Sequence, residues 1–175
     1  MTDAPGVPII DVAPLVTGDG DQAAVSYAIG QACRVNGFFY VTGHGVSEQL
    51  QRRLDTAAHS FFYLDVETKL RIRMELAGKA WRGYFPVGGE LTSGKPDLKE
   101  GLYFGEELSE DDKRVRAVVP LHGANLFPDE IPGFADTILE YMACLTDLGH
   151  ALMRGVAMSL ALQRSYFRDR YMMES

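Results

Sequence analysis

The feature that most constrains the fold is residues 37–46, which read GFFYVTGHGV. The four residues after Gly37 have high strand propensity, and a Gly-His-Gly turn follows them. Because the run is apolar on both sides, it predicts a strand that is buried on both faces. Ser47 and Glu48 then begin a helical pattern, with a carboxylate in the first turn where the helix dipole favours it. The segment therefore predicts a strand, a glycine turn and a helix in succession.

The spacing of apolar residues predicts further elements on both sides of this segment. In chain order they are an edge strand at 7–12, helices at 23–35, 47–64 and 65–69, a loop at 78–94, a strand at 100–104 and a helix at 134–162. The loop at 78–94 combines glycines with large aromatic residues and Arg82, a composition typical of ligand-binding loops. The alternative is a surface loop that its own aromatic side chains fold onto the core.

The predicted helix at 134–162 carries an apolar stripe spaced by threes and fours. At 1.5 Å per residue it would be roughly 40 Å long, so it needs a broad surface on which to pack. Three predicted short strands do not provide that surface, since sheets usually contain about four to six strands. No strand pattern follows the helix. We therefore predict a single α/β (α+β) unit spanning residues 1–175 whose sheet is incomplete.

Charge and composition exclude several classes of partner. The chain has 17 basic and 24 acidic residues and a formal net charge of −7, which argues against a nucleic-acid partner or an anionic membrane surface. No apolar run reaches the roughly 20 residues of a membrane span, and the first residues lack a secretory signal pattern. Cys33 and Cys144 are isolated in apolar helical patterns, which favours buried thiols. We expect a soluble, cytoplasmic protein.

Residue spacing alone reveals no active site. The glycine turn at 43–45 lacks the third glycine of a dinucleotide fingerprint, since Glu48 occupies that position. The four histidines, His44, His59, His122 and His150, form no His-x-Asp, His-x-Glu or His-x-x-x-His pair. A facial triad could be assembled only from distant residues, which the spacing does not support. We expect the His44 ring to hydrogen-bond the backbone of its turn. No nucleophile motif is present either.

Several short motifs follow one another along the chain. They are PIID at 8–11, GFFYVTGHGV at 37–46, FF at 61–62 with Lys69, RGY at 82–84, DLKE at 97–100 followed by Gly105, NLFP at 125–128 and PGF at 132–134. Taken in order, these stretches resemble the N-terminal region of the non-haem iron(II), 2-oxoglutarate-dependent dioxygenases. The subgroup is that of isopenicillin N synthase and the plant flavonoid and gibberellin oxygenases. The resemblance extends from about residue 7 to 165, and the ordered set is more specific than any single motif.

The resemblance implies a double-stranded β-helix (jelly-roll) fold in which this region supplies helices and flanking strands. The long helix would support the barrel, whose core would be largely missing from residues 1–175. The family's His-x-Asp and distal histidine, which hold iron, and its Arg-x-Ser, which holds 2-oxoglutarate, would lie beyond this chain. No catalytic, metal-binding or cofactor-binding residue can therefore be assigned. Arg82 and Tyr84 match a loop that reaches the substrate in some members, and we predict them as substrate contacts.

A family member would use Fe(II) and 2-oxoglutarate to oxidise a C–H bond of a small organic molecule. Without the iron ligands, we expect this chain to be part of such an oxidoreductase but not catalytically competent alone. Two alternatives are a subunit whose ligands come from a second chain and a non-catalytic interaction or scaffold protein derived from the family. Because the helix stripe would lie partly bare, we also expect self-association.

Overall fold

The computed structural model describes residues 6–172, which form two compact units. Within the described residues, the first unit comprises residues 6–48 and 141–172, and the second comprises residues 49–140. A compact unit need not fold independently, so the assignment of residues 1–175 to one domain stays a prediction. None of the helices in the described part of the chain is long and apolar enough to cross a membrane.

The first unit begins with two strands and two helices. They are β1 (Ile9–Asp11), α1 (Ala13–Thr17), α2 (Gln22–Val35) and β2 (Tyr40–Thr42). The strands pair in parallel, with Ile10 opposite Val41. Gly43 and Gly45 follow β2 with φ of 65° and 77°, conformations that favour glycine. The predicted strand, glycine turn and following helix are thus confirmed, although the strand is shorter than expected.

The prediction that this strand is buried on both faces is wrong for the described chain. Tyr40 is 65% exposed, the preceding Phe38 is 62% exposed, and Ile9 on β1 is 70% exposed. Since side chains alternate along a strand, Ile10 and Val41 point to the other face, where they pack against the apolar core. The described sheet has only two strands, and only that face is covered.

Helices α1, α2 and α6 (Phe134–Ser159) supply the rest of this core, α6 through its residues 141–159. Helix α1 follows the predicted edge strand directly and was not expected from the sequence, because Pro14 lies in its first turn. Proline is tolerated in the first turn of a helix, where its missing N–H would have no intrahelical partner. The buried core residues are Ile10, Val12, Leu15, Ile29, Ala32 and Ala151.

The two cysteines lie on helices of this unit, but the expectation of buried thiols is wrong. Cys33 on α2 is exposed, and Cys144 on α6 is half-buried. Apolar spacing identified the helices correctly, yet it did not resolve which positions near the edge of each stripe face the core.

The second unit combines short helices with irregular backbone and small sheets. Its elements are α3 (Glu48–Phe62), α4 (Val66–Lys69), 3₁₀ turns at Leu70–Ile72 and Met74–Ala80, β3 (Gly83–Phe85), β4 (Leu91–Thr92), β5 (Lys95–Pro96), β6 (Gly101–Tyr103), α5 (Lys113–Arg116) and the start of α6. Strands β3 and β6 pair antiparallel, as do β4 and β5. The strand expected at 100–104 is confirmed as β6. The expectation of a plain loop at 78–94 is wrong, because β3 and β4 lie within it.

Aromatic side chains fill the interior of the second unit. Phe61 at the end of α3 contacts the rings of Tyr84 and Phe134, with centroids 5.8 and 5.9 Å apart. Phe104 stacks on Phe127 at 5.4 Å. Because Phe61 packs directly on Tyr84, strand β3 and its side chains belong to the interior of this unit.

Candidate functional site

Arg82 lies immediately before β3 and is only 3% exposed. Its guanidinium donates to the carbonyl oxygens of Glu106, Gly123 and Leu121, the last at 3.0 Å. A guanidinium carries five N–H donors in a rigid fork, so one side chain can hold several carbonyls at once. Arg82 therefore ties irregular backbone at residues 106 and 121–123 to the start of β3.

Asn125 extends this group of bonds, which we call the arginine network. Its side-chain oxygen lies 3.5 Å from Arg82 Nη1 and accepts from the Gly105 N–H at 2.9 Å. Its amide nitrogen donates to the Gly105 carbonyl at 2.8 Å and to the Glu107 carboxylate at 2.6 Å. Burial lowers the pKa of the Arg82 guanidinium, while the charges of Glu107 and Glu106 oppose that shift. Arginine nevertheless stays protonated, so the network contains a buried positive charge.

Tyr84, in the middle of β3, is 1% exposed and belongs to a second group, which we call the tyrosine network. Its hydroxyl donates to the Glu100 carboxylate at 2.5 Å, and Lys69 Nζ donates to the same carboxylate at 2.8 Å. Lys69 is itself buried, donates to the Phe62 carbonyl at 3.3 Å and lies 5.4 Å from the Tyr84 ring centroid. Glu100 thus compensates a buried ammonium charge.

The charges in the tyrosine network fix its protonation. Hydrogen bonds from Lys69 and then Tyr84 lower the pKa of Glu100, so it is ionised at neutral pH. Burial, and then the hydrogen bond and charge of Glu100, raise the pKa of Tyr84 above its usual 10.0. The phenol therefore remains a neutral donor to an ionised acceptor, which is a strong, short type of hydrogen bond.

The structure thus places both sequence-predicted site residues inside the second unit, where each is bonded to protein groups and shielded from solvent. Arg82 and Tyr84 flank Gly83, and each occupies its own network. Their role as substrate contacts stays a prediction. What the geometry itself establishes is that both side chains position the segments around β3.

Comparison with known proteins identifies the family. A family model described as non-haem dioxygenase in morphine synthesis, N-terminal, matches residues 7–130. The chain belongs to this dioxygenase family. The resemblance inferred from the ordered sequence motifs is therefore confirmed.

Relatives of the dioxygenase chain are oxidoreductases. A Dictyostelium discoideum protein named probable iron/ascorbate oxidoreductase is 49% identical over 175 residues, which cover 94% of this chain and 48% of that protein. The 1-aminocyclopropane-1-carboxylate oxidase of Dictyostelium mucoroides is 34% identical over 97% of this chain and 46% of its own length. The chain spans about half the length of the curated relatives it matches.

A solved structure shows the same fold. A full-length Neurospora crassa protein in complex with α-ketoglutarate superposes with a TM-score of 0.76 at 24% identity, over 96% of this chain and 51% of that one. The same Neurospora protein has also been solved with both α-ketoglutarate and thymine, a small organic molecule. Iron and 2-oxoglutarate are thus the cofactors of proteins related to this dioxygenase chain.

Side chains that could act as metal ligands are dispersed over the described residues of this dioxygenase chain. Across residues 6–172, no three His, Cys, Asp or Glu side chains lie close enough together to hold a metal ion. His44 Nδ1 accepts from the Val46 N–H at 3.1 Å, which confirms the predicted backbone role of that ring. His122 Nδ1 lies 2.9 Å from the Pro120 carbonyl oxygen. We therefore assign no iron ligand within the described residues.

Four side chains of the two networks, those of Lys69, Glu100, Glu107 and Asn125, had no role assigned from sequence. Lys69, Glu100 and Asn125 all lie in stretches that carry the family resemblance. Nothing in their local spacing indicated burial, since lysine and glutamate are almost never buried unless they are paired. The available signal was therefore only the position of these residues within or beside the motifs of the resemblance.

Proposed function

We propose that this chain is the N-terminal part of an Fe(II)- and 2-oxoglutarate-dependent oxidoreductase that acts on a small organic molecule. The observation that carries the proposal is the family match over residues 7–130, whose description refers to the N-terminal region of non-haem dioxygenases. Similarity to about half of a protein solved with α-ketoglutarate supports it.

We also propose that residues 1–175 contain little of the barrel core and do not catalyse oxidation alone. Two features of the described chain support this proposal. Its six strands form three separate two-stranded sheets, none of which closes. The outer face of the β1–β2 sheet leaves Ile9 and Tyr40 exposed, and a further layer of protein would cover such side chains.

Arg82 and Tyr84 remain proposed substrate contacts, with one condition that follows from their surroundings. A side chain that reaches a substrate must first give up bonds to protein groups, and each buried group left unpaired costs about 1–3 kcal/mol. The contacts therefore favour an indirect contribution, in which Arg82 holds the backbone at residue 106 and at residues 121–123.

The experiment that tests the proposal is anaerobic titration calorimetry of the 175-residue chain with Fe(II), with and without 2-oxoglutarate. We expect no saturable iron binding under either condition. Far-UV circular dichroism of the same sample must show helical protein, because an unfolded chain would also bind nothing specifically. Iron binding that tightens with 2-oxoglutarate would contradict the proposed dependence on further residues.

If iron binds, variants decide whether the site lies in this chain. His44→Ala, His122→Ala and His150→Ala would each be titrated, with the exposed His59→Ala as the matched control. Loss of binding in one of the first three alone would assign a ligand in this chain.

A second candidate function, interaction without catalysis, is favoured by the exposed apolar side chains. The stripe of α6 is mostly covered, but Leu145 remains 41% exposed, in addition to the β1–β2 residues. Such surfaces favour self-association. Sedimentation velocity over a tenfold concentration range should show a rising mean mass; a concentration-independent monomer would contradict self-association.

A further inference from the structure

A cavity of about 250 Å³ lies beside the C-terminal part of α6 and the segment that follows it, within the first unit. Its polar lining comes from His150 and Arg154 on the helix and from Arg164, Ser165 and Arg168 after it. Met153 and Phe167 complete the wall. Three arginines and a histidine converge here, and none of the carboxylates in residues 6–172 lines the cavity.

The positive charge of this region stands out from the rest of the chain. Residues 154–170 contain four arginines and one aspartate, whereas the whole chain has a net charge of −7. Like charges repel one another when they are brought together, so a converging arginine group is stabilised by an anion between them. The cavity thus has the electrostatic character of an anion site.

The arginines that line the cavity retain donors for a ligand. Arg154 Nη2 donates to the Leu15 carbonyl at 3.0 Å, and Arg168 Nε donates to Asp169 at 3.0 Å. Within residues 6–172, the side chain of Arg164 makes no hydrogen bond or ion pair. Since each guanidinium carries five N–H groups, most of these donors are available to oxygen acceptors.

A neighbouring hollow of about 580 Å³ shares His150, Arg154 and Arg168 but differs in charge. It is also lined by Asp147 and Cys144, and a carboxylate there would repel an anion. The smaller cavity is therefore the better anion site. Its volume lies below the roughly 300–1,000 Å³ of pockets for drug-sized ligands, so it suits a ligand of few heavy atoms.

We propose that the cavity lined by Arg154, Arg164 and Arg168 binds a small oxyanion that carries two negative charges on carboxylate or phosphate groups. Guanidinium forks pair with such groups through two parallel N–H···O bonds. The His150 ring offers a further hydrogen bond, whereas the Ser165 hydroxyl already bonds to the Asp169 carboxylate. This proposal does not depend on the function proposed above.

The test is an NMR titration of the isotopically labelled 175-residue chain at low ionic strength, with inorganic phosphate and succinate as separate probes. The arginine Nε–Hε signals report on the cavity directly. We expect saturable shifts of the Arg154, Arg164 and Arg168 signals with at least one probe, while sodium chloride at equal ionic strength does not reproduce them.

Arg164→Gln is the decisive variant because this exposed side chain has no bond to lose within the described chain. Removing one charge-assisted contact from a partly exposed site should weaken binding about fivefold. Arg170→Gln is the matched control: it removes the same charge from the same segment, but Arg170 stacks on Tyr166 at 4.9 Å and does not line the cavity. We expect its affinity to stay within about twofold of the unmodified chain.

The possible outcomes distinguish a specific anion-binding site from non-specific electrostatic attraction of anions to the arginines. Saturation with phosphate alone supports a phosphate ligand, and saturation with succinate alone supports a dicarboxylate. Equal weakening by Arg164→Gln and Arg170→Gln overturns the proposal, as do shifts that never saturate or that chloride reproduces. Circular dichroism of both variants verifies that they retain the helical fold.

Discussion

The two units of this chain are stabilised by different kinds of interior. The first unit has an aliphatic core in which Leu15, Ile29 and Val12 are almost completely buried and pack against α6. The second unit buries charged groups, Arg82 and Lys69 among them, beside its aromatic side chains. The apolar contacts of the first interior have no directional requirement, whereas the second interior depends on hydrogen bonds between specific donors and acceptors.

This difference predicts how much stability each unit loses when one of its buried side chains is replaced. An aliphatic core loses stability in proportion to the apolar area and packing that are removed. A buried polar network loses more when one partner is deleted, because the remaining partners are left desolvated and unpaired. The second unit should therefore be the more sensitive to single polar substitutions.

Replacing Arg82 with leucine should produce the largest effect. The substitution leaves the carbonyls of Glu106, Leu121 and Gly123 without their donor, and we expect the free energy of unfolding to fall by about 3–5 kcal/mol. Trp81, the only tryptophan, is adjacent, so its fluorescence in a denaturant titration reports on this unit.

The control for this substitution is Arg73→Leu. The Arg73 side chain is half-exposed and pairs with the exposed Glu75, so its loss should cost less than about 1 kcal/mol. Equal costs for the two variants would show that the arginine network contributes no special stability.

The aliphatic unit was the part that the sequence could predict. The helices α2 and α6 were expected from apolar residues spaced by threes and fours, and the structure confirms both. Such spacing indicates a helix directly, because residues three and four positions apart lie on the same face of a helix. The short helix α1 could not be predicted in this way, because its five residues are too few to show a helical period.

The polar unit could not be predicted in the same way. Arg82 bonds to residues from 24 to 43 positions away, and β3 pairs with β6, which begins 18 residues after it. A three-residue strand with a distant partner leaves no local periodicity. The family resemblance singled out Arg82 and Tyr84 as substrate contacts, but it did not indicate the bonds to protein groups that both side chains make. Only the folded chain reveals which charges neutralise each other.

A Glu100→Gln substitution should produce the second largest effect and add a pH signature. It removes the carboxylate that compensates the buried Lys69 charge, so we expect a loss of about 2 kcal/mol at pH 7. The folded-state pKa of Glu100 lies below its usual 4.5, owing first to the hydrogen bond from Lys69 and then to that from Tyr84. The stability that this carboxylate contributes is therefore complete above pH 4.5 and is lost as the pH falls through the folded-state value.

The measurement for this prediction is the difference in unfolding free energy between the unmodified chain and the variant from about pH 7 to about pH 3. We expect the difference to be constant above pH 4.5 and to narrow below it. Glu110→Gln is the control because Glu110 is exposed and lies outside both networks. A difference that does not change with pH would mean that Glu100 acts through packing rather than through its charge.

Two glycines of α6 provide the smallest test, this time of the aliphatic unit. A Cβ on Gly155 would lie 2.6 Å from Leu15 Cδ1 and 3.1 Å from Ile29 Cδ1, whereas a Cβ on Gly149 would meet nothing within 4 Å. Alanine favours a helix over glycine by about 1 kcal/mol, so Gly149→Ala should stabilise the chain by about 0.5–1 kcal/mol. At Gly155 the same gain opposes an overpacking cost of about 1–3 kcal/mol, and we expect a net loss of about 1 kcal/mol.

The two alanine variants are best compared by thermal unfolding monitored by far-UV circular dichroism, to which α6 contributes strongly. Because the substitution and the helix are the same, the difference between the two melting temperatures isolates the packing of position 155 against Leu15 and Ile29. The expected result is a higher melting temperature for Gly149→Ala and a lower one for Gly155→Ala. If both variants melt at a higher temperature than the unmodified chain, the aliphatic core accommodates an added methyl group at position 155. A shift confined to Gly155→Ala would mean that helix propensity adds little here and that close packing alone governs this part of α6.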